Sequence, residues 1–119
     1  MRHFFKRFFF AFIGLKELVL NERNFSFHLL ALIVVIVAGF CFKITSIEWL
    51  ILLLISALVI CLEAINTAIE KLCDLYSTAP NQQIKVIKDI AAAAVLISAI
   101  FALFIGFLIF NKYILSVFS

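Results

Sequence analysis

Residues 49–76 read WLILLLISALVICLEAINTAIEKLCDLY, and the fold turns on how this stretch is read. From Trp49 to Leu62 it is an apolar run of 14 residues with no charge, and then Glu63 arrives. That run falls short of the roughly 20 residues an α-helix needs to cross a bilayer. The helix is therefore expected to continue through AINTAIEKLCDLY, which places Glu63, Asn66 and Glu70 inside the membrane or at its edge. The polar residues follow the pattern Glu63-x-x-Asn66-x-x-x-Glu70-x-x-x-Asp74. On a helix all four fall within an arc of roughly 80°. A single carboxylate at mid-helix costs about 2.5–3.5 kcal/mol on insertion scales. A stripe of them beside an amide calls for partners, of which a divalent cation and cationic side chains are the obvious ones.

The rest of the chain suits the same solvent. Of its 119 residues 66% are hydrophobic and only 14% charged, against about a quarter charged in a soluble domain. A water-soluble globule of this size has too little interior to hide that much apolar surface. Phe25 to Phe42 is broken only by Ser26 and His28, and Ile90 to Phe110 only by Ser98. The expected architecture is all-α and integral to the membrane, a single domain over 1–119. It comprises a surface helix over 1–24 and transmembrane helices over 25–43, 48–74 and 88–111. Ser77 to Gln83, with the only proline at Pro80, reads as the loop between the last two.

At about 100° per residue, Phe4, Phe5, Phe8, Phe12, Leu15 and Val19 share one face of the first helix. Arg2, His3, Lys6, Arg7, Glu17 and Asn21 share another, so this segment is expected to lie amphipathically on the membrane surface. It does not read as a cleaved signal, because no small-residue cleavage site follows an uninterrupted apolar core. Arg2, Lys6, Arg7, Lys16, Arg23, Lys71, Lys85 and Lys88 flank one side of the spans, and only Lys43 and Lys112 the other. By the positive-inside rule the N-terminus and the acid-bearing end of the second span are cytoplasmic.

Three inner helix ends thus offer Glu22, Glu63, Asn66, Glu70, Lys88 and Asp89 to one region. Oxygen ligands suit Mg²⁺, which takes one or two carboxylates and completes its shell with phosphate and water. A lysine suits a phosphate as a point charge, and a remaining carboxylate can take the proton from an attacking hydroxyl. The competing reading is a set of solvated span ends, with Lys71 neutralising Glu70 or Asp74. Ala91, Ala92, Ser98, Ala99, Ala102 and Gly106 form a small-residue line on the third span, a packing seam that would bring Lys88 toward the acids.

Other chemistries find no support in the sequence. Gly14, Gly39 and Gly106 are isolated, so there is no Gly-rich phosphate loop. Cys41, Cys61 and Cys73 are widely spaced and odd in number, which supports neither a disulfide framework nor zinc. His3 and His28 stand alone, with no triad around them, and His28 reads first as a packing or interface residue. The basic face belongs to a lipid-facing helix, not to a nucleic-acid surface.

The sequence resembles the prokaryotic diacylglycerol kinase family, which includes the undecaprenol kinases, over about residues 4–110. The likeness is carried by Asn21-Glu22-Arg23-Asn24 followed by His28, by Glu48-Trp49, by Glu63-Ala-Ile-Asn66-Thr-Ala-Ile-Glu70 with Asp74, and by Lys88-Asp89-Ile-Ala-Ala. The resemblance implies a homotrimeric helical bundle at the bacterial cytoplasmic membrane, with sites shared between subunits. It implies ATP- and Mg²⁺-dependent phosphorylation of a membrane lipid alcohol. By the same resemblance Glu63 looks like the general base, Glu22 and Glu70 look like Mg²⁺ ligands, and Asn66 looks like a nucleotide-positioning amide. Lys88 looks like a phosphate contact, Asp89 its neighbour in the nucleotide site, and Asp74 an outer nucleotide contact. A surface-helix arginine of the family has no single match here; Arg2, His3 and Arg7 all stand as options. The ERN…H pattern is closer to the undecaprenol kinase branch, so undecaprenol is the expected acceptor and diacylglycerol the alternative. A reading of another class is a non-enzymatic membrane subunit whose acids bind ions.

Overall fold

Four α-helices account for nearly the whole chain. The computed structural model describes residues 1–119, with α1 at Arg2–Asn21, α2 at Arg23–Phe42, α3 at Ser46–Tyr76 and α4 at Gln82–Phe118. α2, α3 and α4 are each long and apolar enough to cross a membrane. α3 continues unbroken through Glu63, Asn66 and Glu70, so the polar stripe rides on the same rod as the apolar run. At 1.5 Å per residue α4 is on the order of 55 Å long, well beyond a hydrocarbon core of ~30 Å.

The helix ends have local causes. Glu22 is extended (φ −113°, ψ 108°) and is the single residue that breaks α1 from α2. The Ser26 hydroxyl donates to the Val19 carbonyl at 3.0 Å and fastens the two helices across that break. The sequence places the inner loop at Ser77 to Gln83, but Gln82 and Gln83 are already helical. Asn81 is the reason: its side-chain oxygen accepts from the Gln83 and Ile84 amides and caps α4 there.

The α2–α3 connection is tighter still. Lys43 adopts the left-handed conformation (φ 52°) that ends α2, and the Ile44 amide donates to the Gly39 carbonyl at 3.2 Å. Thr45 and Glu48 then form a capping box, each side chain receiving the other's backbone N–H. Gly39 is required here by space. A Cβ at this position would lie 2.5 Å from the Trp49 ring.

Only 13 of 119 residues are buried, which for a soluble protein would leave no adequate core; here lipid is the natural cover for the remaining apolar faces. The core that exists sits at the hairpin end, where Ile44, Leu52 and Ile109 are surrounded by Val35, Trp49, Ile105 and Tyr113. α3 packs chiefly against α4. On α4 the small-residue seam is carried by Ala91 and Ser98, joined by Val95 and Ile109, while Ala92 points outward.

Candidate functional site

The polar stripe of α3 divides by depth. Glu63 is 4% exposed and Asn66 6%, whereas Glu70 and Asp74 are open. Thr67 is buried beside them, its hydroxyl donating to the Glu63 carbonyl at 3.0 Å. That bond costs nothing in sequence signal and was not visible as a site feature, because a threonine one turn on from an acid is compatible with any helix.

Glu63 faces α2. His28 Nε2 lies 3.6 Å from Glu63 Oε2, with the imidazole itself largely enclosed. That separation is too long for a direct hydrogen bond. The side-chain amide of Asn66 donates to Glu70 Oε1 at 3.2 Å, which fixes the amide with its oxygen turned the other way. That oxygen, Asn66 Oδ1, is the one buried side-chain polar atom with no partner. A buried acceptor without a donor costs roughly 1–3 kcal/mol, so this oxygen is free to take a donor or a cation.

Around this core stands a ring of ion pairs. Lys71 bonds Glu22 Oε1 at 2.9 Å, not Glu70 or Asp74 as the sequence suggests. The corner between α1 and α2 brings Glu22 against α3, and Asp74 is already taken by Lys88 at 2.6 Å. Lys88 also lies within electrostatic range of Glu70, and Glu63 within range of both Glu70 and Glu22. Asp89 turns away to Lys85 at 2.7 Å, an exposed pair within one helix. Six of the seven candidate residues, Glu22, Glu63, Asn66, Glu70, Asp74 and Lys88, therefore form one connected group, and Asp89 stands at its margin. No three His, Cys, Asp or Glu side chains converge on a point. α1 lies over the group: a cavity of about 470 Å³ separates Ala11, Gly14 and Leu18 from Ala64, Thr67 and Lys71.

A second cavity begins at His28. An apolar cavity of about 350 Å³ runs between α2, α3 and α4, from His28, Ile60 and Ala99 toward Val35, Leu52 and Gly106.

Fold and site together define a multi-pass helical membrane protein with an acid–amide–lysine cluster at one end of its bundle. The profile described as prokaryotic diacylglycerol kinase matches residues 9–110. The undecaprenol kinase of Bacillus subtilis (strain 168) is 40% identical over 110 residues, covering 92% of this chain and 89% of that protein. A diacylglycerol kinase of Synechocystis sp. is 36% identical over 98 residues, 82% of this chain and 56% of the relative. A diacylglycerol kinase of Helicobacter pylori (strain 26695) is 34% identical over 118 residues, 98% and 88% of the two chains. The chain belongs to the prokaryotic diacylglycerol kinase family and is a bacterial membrane lipid kinase. The reading of its acids as a non-enzymatic ion-binding subunit is thereby overturned.

Proposed function

We propose that this chain phosphorylates undecaprenol to undecaprenyl phosphate, with ATP as donor and Mg²⁺ as the metal, at the cytoplasmic face of the bacterial membrane. The observation that carries the reading is the unpartnered Asn66 Oδ1, buried on the helix face between Glu63 and Glu70. An acceptor oxygen held there, with carboxylates on either side along the helix and Lys88 within electrostatic range of Glu70, suits a cation that arrives with phosphate. The acceptor choice rests on the undecaprenol kinase of Bacillus subtilis, which covers most of this chain at 40% identity. Diacylglycerol is the second reading, favoured by the names of the Synechocystis and Helicobacter relatives.

The donor set fits a magnesium ion. Such an ion takes one or two carboxylates and leaves the rest of its shell to phosphate and water, and Glu22 and Glu70 would hold it. When bound it would screen phosphate charge. Lys88, now on Asp74, would turn to a phosphate oxygen, and Asn66 would hold the nucleotide. Glu63 takes the hydroxyl proton of the lipid as the new O–P bond forms and the bond from the γ-phosphorus to the β-bridging oxygen breaks. The hydroxyl need not lose its proton early, because phosphoryl transfer asks mainly for positioning and charge stabilisation. Burial of Glu63 keeps that carboxylate out of bulk water.

The surface helix lies amphipathically over the site, and the N-terminus is cytoplasmic by the distribution of Lys and Arg. Glu70 and Asp74 are open in a single protomer, and a neighbouring copy in a homotrimer would enclose them. The test is a MgATP assay of the purified protein against undecaprenol and diacylglycerol in mixed micelles. Undecaprenol should be the better acceptor. A clear preference for diacylglycerol would reverse the substrate assignment, and transfer to neither would remove the role given to Glu63.

A further inference from the structure

We infer that His28 seats the acceptor hydroxyl, and that the groove beginning at His28 selects an alcohol whose chain is hydrocarbon right up to its hydroxyl carbon. This rests on the reading of Glu63 as the base and of undecaprenol as the acceptor, and adds to them a residue and the groove that holds the acceptor chain.

The geometry begins with the 3.6 Å between His28 Nε2 and Glu63 Oε2. The two groups stand too far apart to satisfy one another, yet close enough for a third atom to serve both. A hydroxyl oxygen lying beside the gap can stand at about 2.8 Å from each. Its valences match the pair. A hydroxyl has one proton to give and lone pairs to receive. It donates to the Glu63 carboxylate, which only accepts, and receives the N–H of His28. When the hydroxyl oxygen attacks, its proton passes to Glu63 and His28 keeps its own. The other charged groups around Glu63 are the acids Glu22 and Glu70, neither of which can donate a hydrogen bond to the hydroxyl as an anion.

An apolar path for the chain attached to that hydroxyl leads away from the pair. The groove of about 350 Å³ starts at His28 and passes Ala31, Val59, Ala102 and Gly106. Its volume is that of a small-molecule site. It extends along α2 from His28 to Val35, on the order of 10 Å, which is a reach into the bilayer and not along its surface. Ser56 offers the only polar side chain on its walls besides His28. Ester groups close to the hydroxyl would find at most the Ser56 hydroxyl as a side-chain partner there, at a cost a polyprenyl or alkyl chain avoids. The groove is thus suited to a long-chain alcohol free of polar groups near its reacting end.

The experiment measures transfer from MgATP to three acceptors, a long polyprenol, a short-chain prenol and diacylglycerol, with the full chain in mixed micelles. His28→Ala should raise the KM for long polyprenol about tenfold, the value of one hydrogen bond to a charged network, and leave the KM for MgATP unchanged. His28→Gln, which restores an N–H at similar reach, should recover most of the loss. Ala102→Leu narrows the groove and should raise the KM for the long polyprenol while sparing the short prenol. The thermal midpoint of each variant is read alongside, and the Gln variant decides if His28→Ala is unstable. Wild-type affinities for MgATP and polyprenol in His28→Gln and His28→Ala alike would overturn the role of His28. Equal effects of Ala102→Leu on long and short acceptors, or on diacylglycerol and polyprenol, would overturn the groove, as would a second copy of the chain found to fill it. Inactivity of the wild-type protein toward every lipid would instead strike the base reading itself.

Discussion

α3 carries Glu48 in its first turn and Glu63 past its midpoint, and the two are treated in opposite ways. Glu48, at the hairpin end, is saturated: Lys112 bonds Oε2 at 2.8 Å, and Tyr113 and the Thr45 amide both donate to Oε1. Glu63, on the same helix, has no hydrogen bond to its carboxylate, only an imidazole at 3.6 Å, although it is the more deeply buried of the two. Next to it Asn66 leaves an oxygen bare. A buried acid with its bonds filled fixes a structure; one with bonds to spare is available to a ligand. The contrast separates the part of the bundle that holds the helices together from the part that acts.

The sharpest way to break this contrast is at Glu63. Glu63→Gln keeps size and burial but removes the base, and phosphorylation should fall by about two orders of magnitude or more. Radiolabelled transfer from ATP measures this, and the thermal midpoint should hold. Near-normal turnover in that variant would erase the distinction between the two ends. Glu70→Ala is expected to cost a comparable share of activity, and its residual rate should no longer respond to Mg²⁺. An ordinary Mg²⁺ titration in the variant would take Glu70 out of the metal site.

The hairpin end should answer in stability, not rate. Glu48→Ala strips Lys112, Tyr113 and the Thr45 cap of a shared partner, and the thermal midpoint should drop by several degrees while turnover per folded molecule stays within about twofold. A loss of turnover at full stability would show that the two ends are not separate in function. The smallest effect belongs to Lys85→Ala. Its pair with Asp89 is exposed and local, and such pairs contribute little, so rate and midpoint should both be indistinguishable from wild type. A measurable fall in nucleotide affinity would draw Asp89 into the site from its margin.

Much of this was legible in the sequence wherever local pattern governs. The continuation of α3 through Glu63 followed from bilayer thickness, and the clustering of Glu63, Asn66 and Glu70 on one face from helix periodicity. The three apolar helices needed only length and hydropathy. What could not be read are contacts that cross between helices. The pairing of Lys71 with Glu22 depends on a corner of one residue between α1 and α2. The approach of His28 to Glu63 depends on the rotation of α2 about its axis. The acceptor left open on Asn66 depends on which way an amide turns, and no periodicity encodes that. In the sequence Glu48 is marked only by its neighbour Trp49, and its anchors on α4 are more than sixty residues away in the chain.

The contact between Gly39 and Trp49 makes two positions behave as one. With a Cβ at 39 standing 2.5 Å from the indole, a larger residue at 39 can be accommodated only if the ring at 49 shrinks. The cost of altering both should fall well short of the sum of the separate costs, the mark of neighbours that share one volume. The approach of the first two spans therefore depends on the pair, and a side chain at 39 is closed off for as long as the indole stands at 49.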